Sequence, residues 1–189
     1  MEMVSVQQQK KIHPLKFMMW VAMASIIMMF TGLTSAYIIK SNQASWQEIK
    51  MPQLFWFSTG AILISSITIQ MAVSSFKKGV LSKYRQLLGV TALLGIVFVV
   101  LQLLGFQQLW DSGIQFRGVA GAGQFLYVVF GLHIVHVLGG IIALLIMAIQ
   151  TIFFRIKTRT SITIEVAATY WHFVDLLWLY IIIFFLLIG

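Results

Sequence analysis

Residues 165–180 read EVAATYWHFVDLLWLY and open an apolar run that continues almost to Gly189. A helix surrounded by lipid ordinarily carries no ionisable side chain, yet this stretch holds Glu165, His172 and Asp175. At roughly 100° per residue the three fall within about 80° of one another, on a stripe shared with Ala168, Leu176 and Leu179. An aspartate at the centre of a membrane helix costs on the order of 2.5–3.5 kcal/mol on insertion scales, so such groups face protein or water and find a partner. The stripe is therefore expected to point inward, and the run reads as the last spanning helix of a bundle.

The rest of the composition agrees. Of 189 residues, 60% are hydrophobic and 10% charged, which places the chain outside the range of soluble domains and makes it an integral membrane protein. No cysteine is present, which excludes disulfides, thiolate catalysis, iron–sulfur clusters and cysteine-ligated zinc or copper. The formal charge of +8 sits in short loops rather than on a soluble face, so nucleic acid is not an expected partner.

Working back along the chain, five apolar runs are long enough to cross a bilayer, at about 17–39, 54–76, 87–109, 125–154 and 166–188. Residues 1–16 read as an uncleaved tail, because no small-residue cleavage site follows the first apolar run. Residues 17–189 then form one all-α transmembrane domain. Trp46 and Trp56 are expected as interface anchors, and Pro52 at the entry to the second span. Lys77, Lys78, Lys83 and Arg85 read as one basic turn, and Arg155, Lys157 and Arg159 as another. The fourth span follows a glycine-rich approach, GVAGAG. Ten of the thirteen Lys and Arg fall on the side of the N-terminus, leaving only Lys40, Lys50 and Arg117 opposite. The positive-inside rule predicts a cytoplasmic N-terminus and an outside C-terminus.

The fourth span carries GLHIVHVLGG, with His133 and His136 on one face and Gly131, Gly139 and Gly140 beside them. The pair reads either as haem or metal ligands or as hydrogen-bonded histidines that fix helix packing. Packing is favoured, because a zinc or iron site needs at least three protein ligands and only Glu165, His172 and Asp175 remain to complete one. A rise of about 1.5 Å per residue puts His133, His136, His172 and Asp175 all in the middle of the membrane. A hydrogen-bonded contact between spans four and five, direct or through water, is therefore feasible. Glu165, nearer the cytoplasmic end, reads as an acid in the first helical turn or as a surface proton-collecting group. Trp171, Phe173 and Trp178 read as packing surface.

The segment YWHFVDLLWLY closely resembles the last helix of subunit III of the haem–copper oxidases, whose pattern is near YWHFVDxxWL. GLHIVHVLGG is similar to the same family's HxxHVxxG helix, with His133, His136 and Gly139 at the matching positions. Glu165 stands seven residues before His172, as the family's glutamate does, and GAGQFLYVVFG resembles the lead-in to the histidine helix. FTGLTSAYIIK in span one resembles FxGLxxAY, with Gly32 at the glycine. There the chain departs from the pattern: Ile26 follows Ala24 and Ser25 where many members have a buried glutamate. No role of that carboxylate is carried over.

The resemblance implies the five-helix bacterial form of this family, in the bacterial inner membrane, with other subunits taking the place of the two helices found at the start of seven-helix members. It further implies an accessory subunit with no catalytic residues, haem or copper of its own, docked on the catalytic subunit I beside subunit II. Those partner subunits would carry the haem and copper. In such a complex the subunit stabilises subunit I, binds phospholipid and supports proton uptake while oxygen is reduced to water, with Glu165, His133, His136, Trp171, His172, Asp175 and Trp178 as the motif positions. Gly32, Gly131, Gly139 and Gly140 are expected to let helices approach. The alternatives are a subunit-III-like protein of a quinol oxidase or nitric oxide reductase, an independent proton-coupled transporter, and a bis-histidine membrane haem protein.

Overall fold

The computed structural model describes residues 13–41, 51–113, 121–153 and 161–188. They form five helices: α1 (Pro14–Ser41), α2 (Leu54–Lys77), α3 (Leu81–Asp111), α4 (Gly121–Phe153) and α5 (Ser161–Ile188). Each is long and apolar enough to cross a membrane, and no strand occurs among the described residues. The tail before His13, Trp46, the first half of the glycine-rich approach and the basic turn of Arg155, Lys157 and Arg159 lie outside them.

Nothing interrupts the helices from within. Of the two prolines, Pro14 is the first residue of α1, where its missing N–H is not needed, and Pro52 precedes α2. Hydroxyls within the apolar spans bond back to their own helix, as Thr34 does to Phe30 O, Thr91 to Leu87 O and Thr151 to Met147 O. These hydroxyls need no water, since each has its acceptor one turn back.

α1, α3, α4 and α5 begin before the apolar cores expected of them, because the helix continues through the residues that flank the apolar run. The largest difference is at α3, which starts at Leu81 rather than near 87. Gly79, at φ +74°, ends α2 in a Schellman motif, with Val80 N–H bonded to Ser75 O and Gly79 N–H to Phe76 O. The chain turns within three residues. Lys77 therefore belongs to α2, while Lys83 and Arg85 stand on the first turns of α3 rather than in a loop.

α2, α3, α4 and α5 pack as a ring, each against its two neighbours, and α1 lies along the groove between α4 and α5. α1 is accordingly the least buried of the five. The core is aromatic and centred on Trp178, whose ring lies between 5.1 and 6.2 Å from those of Phe55, Phe98, Phe130 and His133. A second cluster, of Tyr37, Phe125, Phe184 and Phe185, ties α1 to α4 and α5.

The glycines that permit close packing are not the ones the motifs suggested. A Cβ at Gly32, Gly131 or Gly139 would meet nothing within 4 Å, because these positions face away from the chain's own helices. Only Gly140 of that set is used, with Trp171 3.0 Å from the position its Cβ would take. The other two close approaches are on α3. At Gly95 a Cβ would lie 2.8 Å from Trp171, and at Gly105 2.5 Å from Phe55.

Candidate functional site

The stripe on α5 is met mainly by α2. The Ser58–Thr59 and Ser65–Ser66 pairs stand seven residues apart, with Gln70 further along α2, so that small polar groups recur along one side of that helix. Trp178 Nε1 donates to Thr59 Oγ1 at 2.9 Å, and Trp171 Nε1 donates to Ser65 Oγ at 3.0 Å. His172 Nδ1 and Ser66 Oγ are 2.6 Å apart, and His172 Nε2 lies 3.3 Å from Gln70 Oε1. Gln102 of α3 joins the same system by donating to Ser58 Oγ at 2.8 Å, and Thr68 and Thr91 link α2 to α3 at 2.8 Å.

Glu165 closes the stripe at one end of the bundle. Its carboxylate lies 3.2 Å from Lys16 Nζ, at the start of α1, and 3.0 Å from Lys77 Nζ, at the end of α2. One acid thus bridges two helices that do not otherwise approach each other. Toward the other end, Thr34 Oγ1 and Tyr180 OH, 2.8 Å apart, tie α1 to α5.

Asp175 lies deeper, 3% exposed. Its carboxyl sits beside the Ser66 hydroxyl, but neither oxygen closes a well-directed hydrogen bond among the described residues. The two histidines of α4 are apart from this system. His133 is fully buried, its ring tilted against Trp178 at 5.3 Å with Phe98 edge-on at 5.9 Å, and neither ring nitrogen has a hydrogen-bond partner among the described residues. His136 Nδ1 donates to Leu132 O at 2.7 Å within its own helix.

A hydrogen bond between spans four and five is present, but not through the side chains of His172 and Asp175, which turn to α2, where the hydroxyls are compact and numerous. α4 offers α5 a mainly apolar face, and a hydrogen bond between them runs from Tyr170 OH to His136 O at 3.1 Å. The serines and threonines of α2 are the contributors that the sequence reading passed over. Their signal was the repeat of hydroxyl pairs at a seven-residue interval on an apolar span, the pattern of an interhelical seam.

Among the described residues, no group of three or more His, Asp or Glu is arranged to hold a metal. Glu165, Trp171, His172 and Trp178 instead hold α5 to its neighbours through their polar atoms. Fold and site together define a multi-pass helical membrane protein whose motif residues join helix to helix.

The profile of the family described as cytochrome c oxidase subunit III matches residues 7–189. The chain belongs to that family. It is 30% identical over 162 residues to the probable cytochrome c oxidase subunit 3 of Nocardia farcinica (strain IFM 10152), covering 83% of this chain and 79% of that one. It is 27% identical to the cytochrome c oxidase subunit 3 of Bacillus sp. (strain PS3), covering 90% and 84% of the two chains. It is also 29% identical to the cytochrome bo(3) ubiquinol oxidase subunit 3 of Buchnera aphidicola subsp. Baizongia pistaciae (strain Bp), covering 90% and 89%.

Proposed function

We propose that this chain is the accessory, cofactor-free subunit III of a respiratory haem–copper oxygen reductase of the cytochrome c oxidase type, in a bacterial inner membrane. It docks on catalytic subunit I, stabilises it beside subunit II, and leaves oxygen reduction to the haem and copper of those partners. The observation that carries this reading is the use made of the motif: the side chains of Glu165, Trp171, His172 and Trp178 bond to α1 or α2 instead of lining a reaction cavity.

The end of the bundle with Lys16, Lys77 and Glu165 is its cytoplasmic end in this reading, in line with the excess of Lys and Arg on that side. Support of proton uptake follows from family resemblance, with Glu165 as the titratable group at that end. Lipid binding is supported by a cleft of about 340 Å³ between α4 and α5, lined by Gly140, Leu144, Met147, Val166, Ala167 and Tyr170 among others, which suits an acyl chain. A quinol oxidase is the second reading, favoured by the near-complete coverage of the Buchnera ubiquinol oxidase subunit.

The test is to tag the N-terminus, purify in mild detergent, identify what accompanies the chain, and record a reduced-minus-oxidised spectrum with oxygen uptake. A haem–copper catalytic subunit and oxygen consumption are expected, and the donor that works, cytochrome c or quinol, separates the two oxidases. A chain arriving alone and carrying haem would overturn both.

A further inference from the structure

α1 and α2 flank α5 without approaching each other, so α5 forms the floor of an open lateral groove. Glu165, Thr169, His172, Leu176, Tyr180 and Ile183 follow one another along that floor at intervals of three and four residues, the spacing of one helical face. At one end the Lys16–Glu165–Lys77 bridge spans the groove. Beyond His172 the floor turns apolar, with Leu176 65% and Ile183 52% exposed.

The middle of this groove does not suit hydrocarbon. His172 lies eleven residues into α5, about 16 Å along its axis, which is roughly 10 Å inside a hydrocarbon layer of about 30 Å. At that level Gln70 is exposed on the wall and Ser66 half-buried beside it. With Gln70 Oε1 on His172 Nε2, the carboxamide NH2 has no partner among the described residues. An unmet amide donor facing lipid costs several kcal/mol, so what covers Gln70 carries a hydrogen-bond acceptor well below the headgroups. An acyl chain has none. A transmembrane helix supplies one from a Ser, Thr, Asn or Glu side chain, and its length matches the groove. The two lysines against one glutamate leave an excess positive charge at the bridged end, which favours an acidic side chain where such a helix emerges.

We propose that the groove between α1 and α2, floored by α5, receives a transmembrane helix of the partner subunit, which supplies a hydrogen-bond acceptor at the level of Gln70 and His172. This rests on the reading of the chain as a subunit of an oxidase complex and names the face by which it docks.

The chain has no cysteine, so single cysteines report without background. Leu176→Cys on the groove floor and Leu103→Cys on the outer face of α3 are labelled with a membrane-permeant maleimide, in the purified complex and in the chain alone. Leu176→Cys is then coupled to a photo-crosslinker and its adduct identified by mass spectrometry. The expected result is protection of Leu176→Cys in the complex only, protection exceeding that of Leu103→Cys, and a crosslink to a spanning helix of the catalytic subunit. In addition, Gln70→Leu is expected to lower retention in the complex about tenfold, a loss larger than the small change in thermal unfolding of the isolated chain that follows from losing its bond to His172.

A groove that stays reactive in an intact complex, or that crosslinks to a second copy of this chain or to lipid alone, overturns the docking face and leaves the subunit reading standing. A chain that captures no oxidase overturns both.

Discussion

Gly95 shows how much a single absent atom decides. The Trp171 ring lies between Gly95 of α3 and Gly140 of α4 while its indole N–H is held by Ser65 of α2, so it cannot retreat from a new methyl group 2.8 Å away. Gly95→Ala is expected to lower stability by about 1–3 kcal/mol, the usual magnitude of overpacking, even though alanine is the better helix former. Gly32→Ala, with open space around the new methyl, is expected to be neutral or stabilising by up to about 1 kcal/mol. Thermal unfolding of both variants in detergent, followed by tryptophan fluorescence, checks the pair. The hydrogen bond from Trp178 to Thr59 allows a cleaner measurement. Thr59→Val keeps the shape of the side chain and leaves a fully buried indole N–H without its acceptor. A double-mutant cycle with Trp178→Phe is expected to give a coupling of about 0.6 kcal/mol, the average for hydrogen bonds between membrane helices, and no more than about 1.7 kcal/mol. A coupling of zero would mean that the bond is replaced at no cost when it is lost.

At the scale of the helix, the apolar runs alone located all five spans, because lipid permits few alternatives to a helix of that length. Two things were not legible. Where α3 begins depends on the left-handed turn at Gly79, and a run of lysines reads equally well as loop or as helix. Which helix faces the α5 stripe depends on rotation about each axis, and the histidines of α4 drew attention that belonged to the hydroxyls of α2. The attachment of α1 follows from the same contacts. It is held by buried rings, with Tyr37 against Phe125, Phe184 and Phe185, and by the ion pair of Lys16 with Glu165. The ion pair is partly exposed, so Glu165→Gln is expected to loosen α1 by no more than about 1 kcal/mol, an effect that added salt reduces. Tyr37→Ala removes a fully buried ring and is expected to cost about 3–5 kcal/mol. Hydrogen exchange across α1 in detergent separates the two: slight acceleration in the first variant, and loss of protection over most of the helix in the second.

For the whole molecule, the question is what a bundle of this family contributes through the polar groups that join its helices. Its polar groups fix the relative rotation of α2 and α5, and with it the shape of any face presented to a partner. Asp175 is the deepest acid in that system, 3% exposed and beside Ser66. A group that costs so much to place in a membrane has to contribute to the arrangement around it, because nothing else on the α5 stripe needs a carboxyl there. Asp175→Ala leaves a small void and removes the neighbour of Ser66, whose remaining bond is to His172. The expected outcome is weaker retention of this subunit through detergent washing of the complex, with the haem spectrum of the catalytic subunit unchanged, since no ligand to that haem is touched. The check is the ratio of this chain to the catalytic subunit after washing, read beside the reduced-minus-oxidised spectrum of the same sample. If haem signal disappeared while the subunit ratio held, Asp175 would have to act on the catalytic centre itself, and its role as a fixture of helix packing would be wrong.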